Sequence, residues 1–151
     1  MEKNLCQLEE LKLHCMGCCG HDFKSRYEVE KAIKKNTASF HKAEDKRKWG
    51  RRSPGYVRPC GICYNIILDG YKAYCPLHPS KNQGKDLRDS DCELDYLCKT
   101  FKLFKMWDEK KQQRFLDFLK SKNLDWYEYS IGMDQNLLLE EFQKLEETSE
   151  R

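Results

Sequence analysis

The spacing of cysteine and histidine constrains this chain more than any other feature. Cys60-Gly61-Ile62-Cys63 and Cys75-Pro76-Leu77-His78 place a Cys-x-x-Cys pair and a Cys-x-x-His pair on one short piece of chain. Two chelating pairs of this form are what a tetrahedral metal site needs. The segment between them reads as a β-hairpin: Asn65-Ile66-Ile67-Leu68 and Tyr71-Lys72-Ala73-Tyr74 flank Asp69-Gly70, a dipeptide suited to a two-residue turn. Such a hairpin carries Cys75 back beside Cys60 and Cys63. Gly61 removes a steric obstacle where backbone amides approach the sulfurs, and Pro59 stiffens the entry to the knuckle.

A second cluster lies upstream, His14-Cys15-Met16-Gly17-Cys18-Cys19-Gly20-His21. Cys15 and Cys18 form a chelating pair, while Cys19 points elsewhere because adjacent side chains diverge, so this knuckle can serve two metals or one cluster. A redox dithiol is the other use of Cys-x-x-Cys, but it belongs at a helix start within a strand-helix-strand unit, and no such pattern precedes Cys15. His14 and His21 read as loop histidines. Cys6 reads as a small buried hydrophobe.

Composition enters through what nine cysteines do in a chain of 151 residues of which 35% are charged. That length holds one domain, or one domain with an appendage, divided here as a cysteine-cluster domain over 1–107 and a helical extension over 108–151. The apolar content is lean, and a metal staple offsets the missing core area. The cysteine count is odd, no basic stretch and apolar run open the chain, and nothing approaches the ~20 apolar residues of a membrane span. These features predict a cytoplasmic, reducing setting with no membrane, the thiols serving metal. An extracellular disulfide framework is the alternative.

Charge is uneven: residues 1–85 carry 17 Lys and Arg against 9 Asp and Glu, a net of +8, and the remainder 11 against 16, a net of −5. Much of the positive charge falls in a loop over 42–58, where Lys46, Arg47, Lys48, Arg51, Arg52 and Arg58 surround Trp49 and Tyr56, and Gly50, Pro54 and Gly55 break any helix. Cations interleaved with aromatics neutralise phosphates and stack bases. RNA or an acidic protein surface is the partner such a loop would take, but the plainer reading of a solvated linker is favoured, because the run is short and Glu44 and Asp45 dilute it.

Helical patterns cover most of the rest. Leucines at 5, 8, 11 and 13 predict a short helix over Asn4 to Leu13. A capping box at Ser25–Glu28 opens a helix with Val29, Ala32, Ile33 and Phe40 on one face; another at Ser90–Glu93 opens one with Leu94, Leu97, Cys98, Phe101, Phe104 and Trp107 inward. Cys92 falls in the first turn of the latter, where unpaired amides favour a thiolate ligand. Cys98 is either a ligand or a buried structural cysteine. Asp108, Asp125 and Asp134 are the expected caps of three further helices.

The set Cys15, Cys18, Cys19, Cys60, Cys63, Cys75, Cys92 and Cys98 resembles the cysteine-cluster family often labelled YkgJ-like, described as a zinc- or iron-chelating domain. The likeness rests on the Cys18-Cys19 pair, on Cys63 before Leu68-Asp69-Gly70, and on Cys75 just after that turn. It spans roughly residues 13 to 98. The chain departs from the family in having Lys12 where another cysteine usually stands, and in lacking Arg-Pro before Cys92. The resemblance implies metal binding; related domains look like parts of a flagellin lysine methylase.

The expected molecule is thus mainly α with one small β-hairpin, an irregular cysteine-rich half followed by a helical half. Its ligands are drawn from Cys15, Cys18, Cys19, Cys60, Cys63, Cys75, His78, Cys92 and Cys98. Zinc, as one or two ions, is favoured over an iron–sulfur cluster, and four thiolates closed round zinc make a structural site. No nucleophile motif or phosphate-binding glycine loop points to a hydrolase.

Overall fold

The computed structural model describes residues 3–17, 19, 22–52, 57–88 and 97–149. In chain order its elements are β1 (Gln7–Leu8), β2 (Leu13–His14), α1 (Arg26–His41), α2 (Lys46–Gly50), β3 (Ile67–Asp69), β4 (Lys72–Tyr74), α3 (Lys99–Met106), α4 (Glu109–Lys122), α5 (Trp126–Asp134) and α6 (Leu137–Ser149). Two 3₁₀ turns, Glu9–Leu11 and Pro79–Lys81, join them. The protein is mainly α with a small β part, as its patterning predicts. The chain divides into two compact units, one formed by Met1–Cys18 with Leu97–Arg151 and the other by Cys19–Tyr96.

In the first unit the core gathers Leu5, Leu8 and Leu13 with Phe104, Phe115, Leu119, Tyr129, Met133, Leu138 and Phe142. Phe115 meets Phe142 edge-on at a centroid distance of 5.1 Å, and Trp107 closes on Phe115 at 5.6 Å, the offset geometry that aromatic quadrupoles favour. Asp108 caps α4 by accepting from the Lys111 amide, and Asp125 with Glu128 completes a capping box on α5. Asp134 is the last residue of α5, so its expected role as the cap of α6 is corrected: the chain turns at Asn136, φ 60°, and α6 starts beyond it. α3 also starts later than its pattern suggested, with Cys98 as its N-cap while still packed against the core. The capping box at 90–93 lies outside the described residues.

The segment read as a helix over Asn4 to Leu13 is instead an antiparallel hairpin, Gln7 opposite His14 and Leu8 opposite Leu13. A helix this short is marginal without tertiary support. Here Leu5, Leu8 and Leu13 reach the core from extended chain, and the turn closes through Lys12 at φ 55°.

In the second unit, Ser25 accepts the Glu28 amide hydrogen to open α1, which packs on β3 with Val29, Ala32 and Ile33 buried. A smaller core of Trp49, Ile67 and Leu77 sits beneath Phe40. The loop expected to lack helix holds α2, because Asp45 caps it through the Lys48 amide and Trp49 anchors it in that core. The β3–β4 hairpin forms where predicted, with its turn shifted by one residue: Asp69 pairs with Lys72, leaving Gly70-Tyr71 as the turn, Gly70 at φ 62°. Positive φ at the first turn position is the place of glycine in a type II′ hairpin.

Candidate metal centre

Cys60 and Cys63 sit on a tight turn. Gly61 donates its amide hydrogen to the Arg58 carbonyl at 2.8 Å, Arg58 donates to the Ile62 carbonyl at 2.8 Å, and Val57 bridges to Cys63. Gly61 takes φ 102°, a value a side chain would resist. Both cysteines are buried. The Asn65 amide points at the Cys63 sulfur, N to Sγ 3.4 Å, the kind of donor that stabilises a thiolate. Two backbone bonds lace neighbouring chain to the knuckle: Cys63 donates to the Cys19 carbonyl, and Lys24 to the Cys60 carbonyl, each at 2.8 Å. Cys19 is thereby fixed alongside the knuckle.

The knuckle is held from behind by one buried amide. Asn36, on α1 and fully buried, donates to the carbonyls of Cys63 (3.1 Å) and Ile66 (2.9 Å), and its Oδ1 accepts from Arg58 Nε (2.9 Å) and Arg52 Nη2 (3.3 Å). Arg52 also donates to the Tyr64 carbonyl and to Asn65 Oδ1, and lies over the Trp49 ring at 4.1 Å; Arg58 lies over Tyr64 at 4.5 Å. Burial and the nearby Arg58 charge lower the Arg52 pKa.

The basic loop is thereby redistributed. Trp49 is only 5% exposed, wedged between Phe40 and Arg52, so it is a core ring and offers no face for a base. Arg52 and Arg58 bind the protein's own backbone and side chains. Lys46, Arg47, Lys48 and Arg51 remain exposed, Lys46 meeting Asn82 at 3.0 Å. Tyr56 lies outside the described residues.

Downstream, β4 delivers Cys75 into the turn Cys75–His78, closed by the His78 amide on the Cys75 carbonyl at 3.2 Å. Cys75 packs against the Trp49, Ile67 and Leu77 cluster. His78 Nδ1 accepts the Ser80 amide hydrogen at 3.1 Å, which caps the following 3₁₀ turn and leaves Nε2 as the ring's ligand atom. Burial, then the Arg88 charge, lowers the His78 pKa and favours the neutral imidazole that metals bind. Arg88 itself grips Asp86 through two bonds of 2.9 Å.

In the first unit, Cys15 donates its amide hydrogen to the Cys6 carbonyl at 3.0 Å and accepts that of Gly17 on its sulfur at 3.4 Å. Gly17 packs so tightly that a Cβ there would stand 2.7 Å from the Ser130 carbonyl oxygen. Cys98 accepts the Phe101 amide hydrogen on its sulfur at 3.4 Å as the N-cap of α3. Tyr129, a member of the core that both cysteines pack against, donates its hydroxyl hydrogen to the Leu5 carbonyl at 2.6 Å. Burial pushes its pKa well above the ordinary phenol value, and the thiols of Cys15, Cys6 and Cys98 add to the shift. Cys6 is thus a neighbour of the same buried hydroxyl as two expected ligands; standing alone among leucines, it carried no spacing signal.

The donors are of the right kind for a soft metal, thiols and one imidazole. Among the described residues, no three of His, Cys, Asp and Glu lie close enough together to hold one ion. Cys18, His21 and Cys92 lie outside the described residues. No protein-family model matches the chain, and no curated protein and no solved structure is significantly similar to it.

Proposed function

We propose that this chain is a zinc-binding protein in which thiolates staple two small folds, a structural or binding module of the cysteine-cluster type. The observation that carries this reading is that the Cys15, Cys63 and Cys98 sulfurs each face a backbone N–H at 3.4 Å. Amide donors aimed at three sulfurs lower the cost of holding a thiolate there. The ligands of one site would be drawn from Cys6, Cys15, Cys18 and Cys98, brought within reach of one ion as the metal binds. Those of the other would be drawn in the same way from Cys19, Cys60, Cys63, Cys75, His78 and Cys92. Zinc closed by four such ligands contributes folding energy and leaves no open position for chemistry. Thiols kept for metal fit a reducing cytoplasm, and among the described residues no helix is long and apolar enough to cross a membrane.

Serine substitution of Cys60 and Cys63 together is expected to remove one zinc per chain and leave the other. Unchanged zinc content in that variant would overturn the assignment. The same N–H donors suit an iron–sulfur cluster, which such bonds tune; a brown sample with acid-labile sulfide after oxygen-free purification would establish that second reading.

A further inference from the structure

A groove of about 440 Å³ runs between the first half of α1 and the Cys60 knuckle, lined by Lys24, Glu28, Lys31, Ala32, Lys35, Arg58, Pro59 and Cys60. We propose that this groove binds a ligand bearing several clustered phosphates, with Lys24, Lys31, Lys35 and Arg58 as its cations. Four cations stand there with one carboxylate, a net positive lining, and a recess of net positive charge concentrates anions better than a flat, evenly charged face.

Two features distinguish the groove from a merely solvated helix face. Arg58 is fixed before any ligand arrives: Asn36 holds its Nε at 2.9 Å and Tyr64 lies under its guanidinium at 4.5 Å. Its planar fork therefore loses little freedom on binding and leaves its Nη groups to grip phosphate oxygens. The Lys24 amide bonded to the Cys60 carbonyl ties the segment before α1 to the knuckle, so the two walls move together. None of the lining residues is aromatic. The ligand is accordingly read by charge and not by stacked bases, and it is either a nucleic-acid backbone or a small polyphosphate. This site differs from the loop read in the sequence: Arg58 is its only member from that loop, and the other three cations come from around α1. It requires no bound metal.

The test uses the full chain as purified, its metal content recorded alongside. Binding of a dye-labelled uridine dodecamer is followed by anisotropy, and inorganic tripolyphosphate serves as competitor. With four cations engaged, affinity for the single strand is expected to fall roughly 50-fold between about 0.05 and about 0.2 M salt. Lys31→Glu with Lys35→Glu is expected to weaken binding by roughly 25-fold at about 0.1 M salt. The control pair Lys42→Glu with Lys85→Glu, exposed and outside the groove lining, is expected to change it several-fold less than the groove pair does. Tripolyphosphate binding tighter than that of the dodecamer supports the site and identifies a small polyphosphate; tighter dodecamer binding that the groove pair weakens supports it and identifies the backbone. Loss of affinity in the control pair equal to that in the groove pair, absence of binding by both probes, or equally tight binding of oligoglutamate would overturn the proposal.

Discussion

Asn36 stands where the apolar stripe of α1 would continue after Val29, Ala32 and Ile33, and it is as buried as they are. A polar residue on a core-facing stripe must find partners, and this one finds four. Asn36→Ala would leave the Cys63 and Ile66 carbonyls without these donors, so a loss of about 2–4 kcal/mol is expected in urea unfolding. The stripe position was legible in the sequence, but the partners were not, because they lie 16, 22, 27 and 30 residues away. Asp86 makes a second prediction at this scale. Hydrogen bonding by Arg88 lowers its pKa from the ordinary 3.8 to about 2. A carboxyl with a depressed folded pKa contributes stability that is present above its unfolded value and lost as pH falls toward the folded one. Stability should therefore decline between about pH 4 and about pH 2 with a component that Asp86→Asn abolishes, as acid titration followed by circular dichroism would register.

The capping grammar of Ser25, Asp108 and Asp125 was readable because it is local, and the hairpin before Cys75 was readable because strand and turn residues alternate within ten positions. The β1–β2 hairpin was not, since leucines at 5, 8, 11 and 13 satisfy helical spacing as well as they satisfy a core reached from extended chain. Cys98 shows a similar ambiguity: it packs against the core as its apolar neighbours suggested, and its sulfur also caps α3. This separates its two possible duties. In metal-free protein Cys98→Ser keeps an N-cap oxygen and should be close to neutral, while Cys98→Ala should cost about 1 kcal/mol of thermal stability. Both should lose the metal of the first unit if the sulfur is a ligand. Gly17→Ala tests the packing of that knuckle on α5: a Cβ 2.7 Å from the Ser130 carbonyl forces one backbone to move, at an expected cost of about 1–3 kcal/mol in chemical denaturation.

At the scale of the molecule, the cysteines are shared between the two units, and each unit has its own apolar core. Cys-x-x-Cys spacing announced soft-metal chemistry in the sequence, but how nine thiols divide depends on which distant segments fold together, and spacing does not encode that. If each unit carries its own staple, a strong chelator should lower the melting temperature of the whole protein and zinc should restore it. Elemental analysis of protein purified without oxygen, with an absorption spectrum of the same sample, tests the central claim most directly. The account predicts two zinc ions per chain and no visible absorption. Protein that carries neither zinc nor iron, with every thiol open to titration, would contradict it.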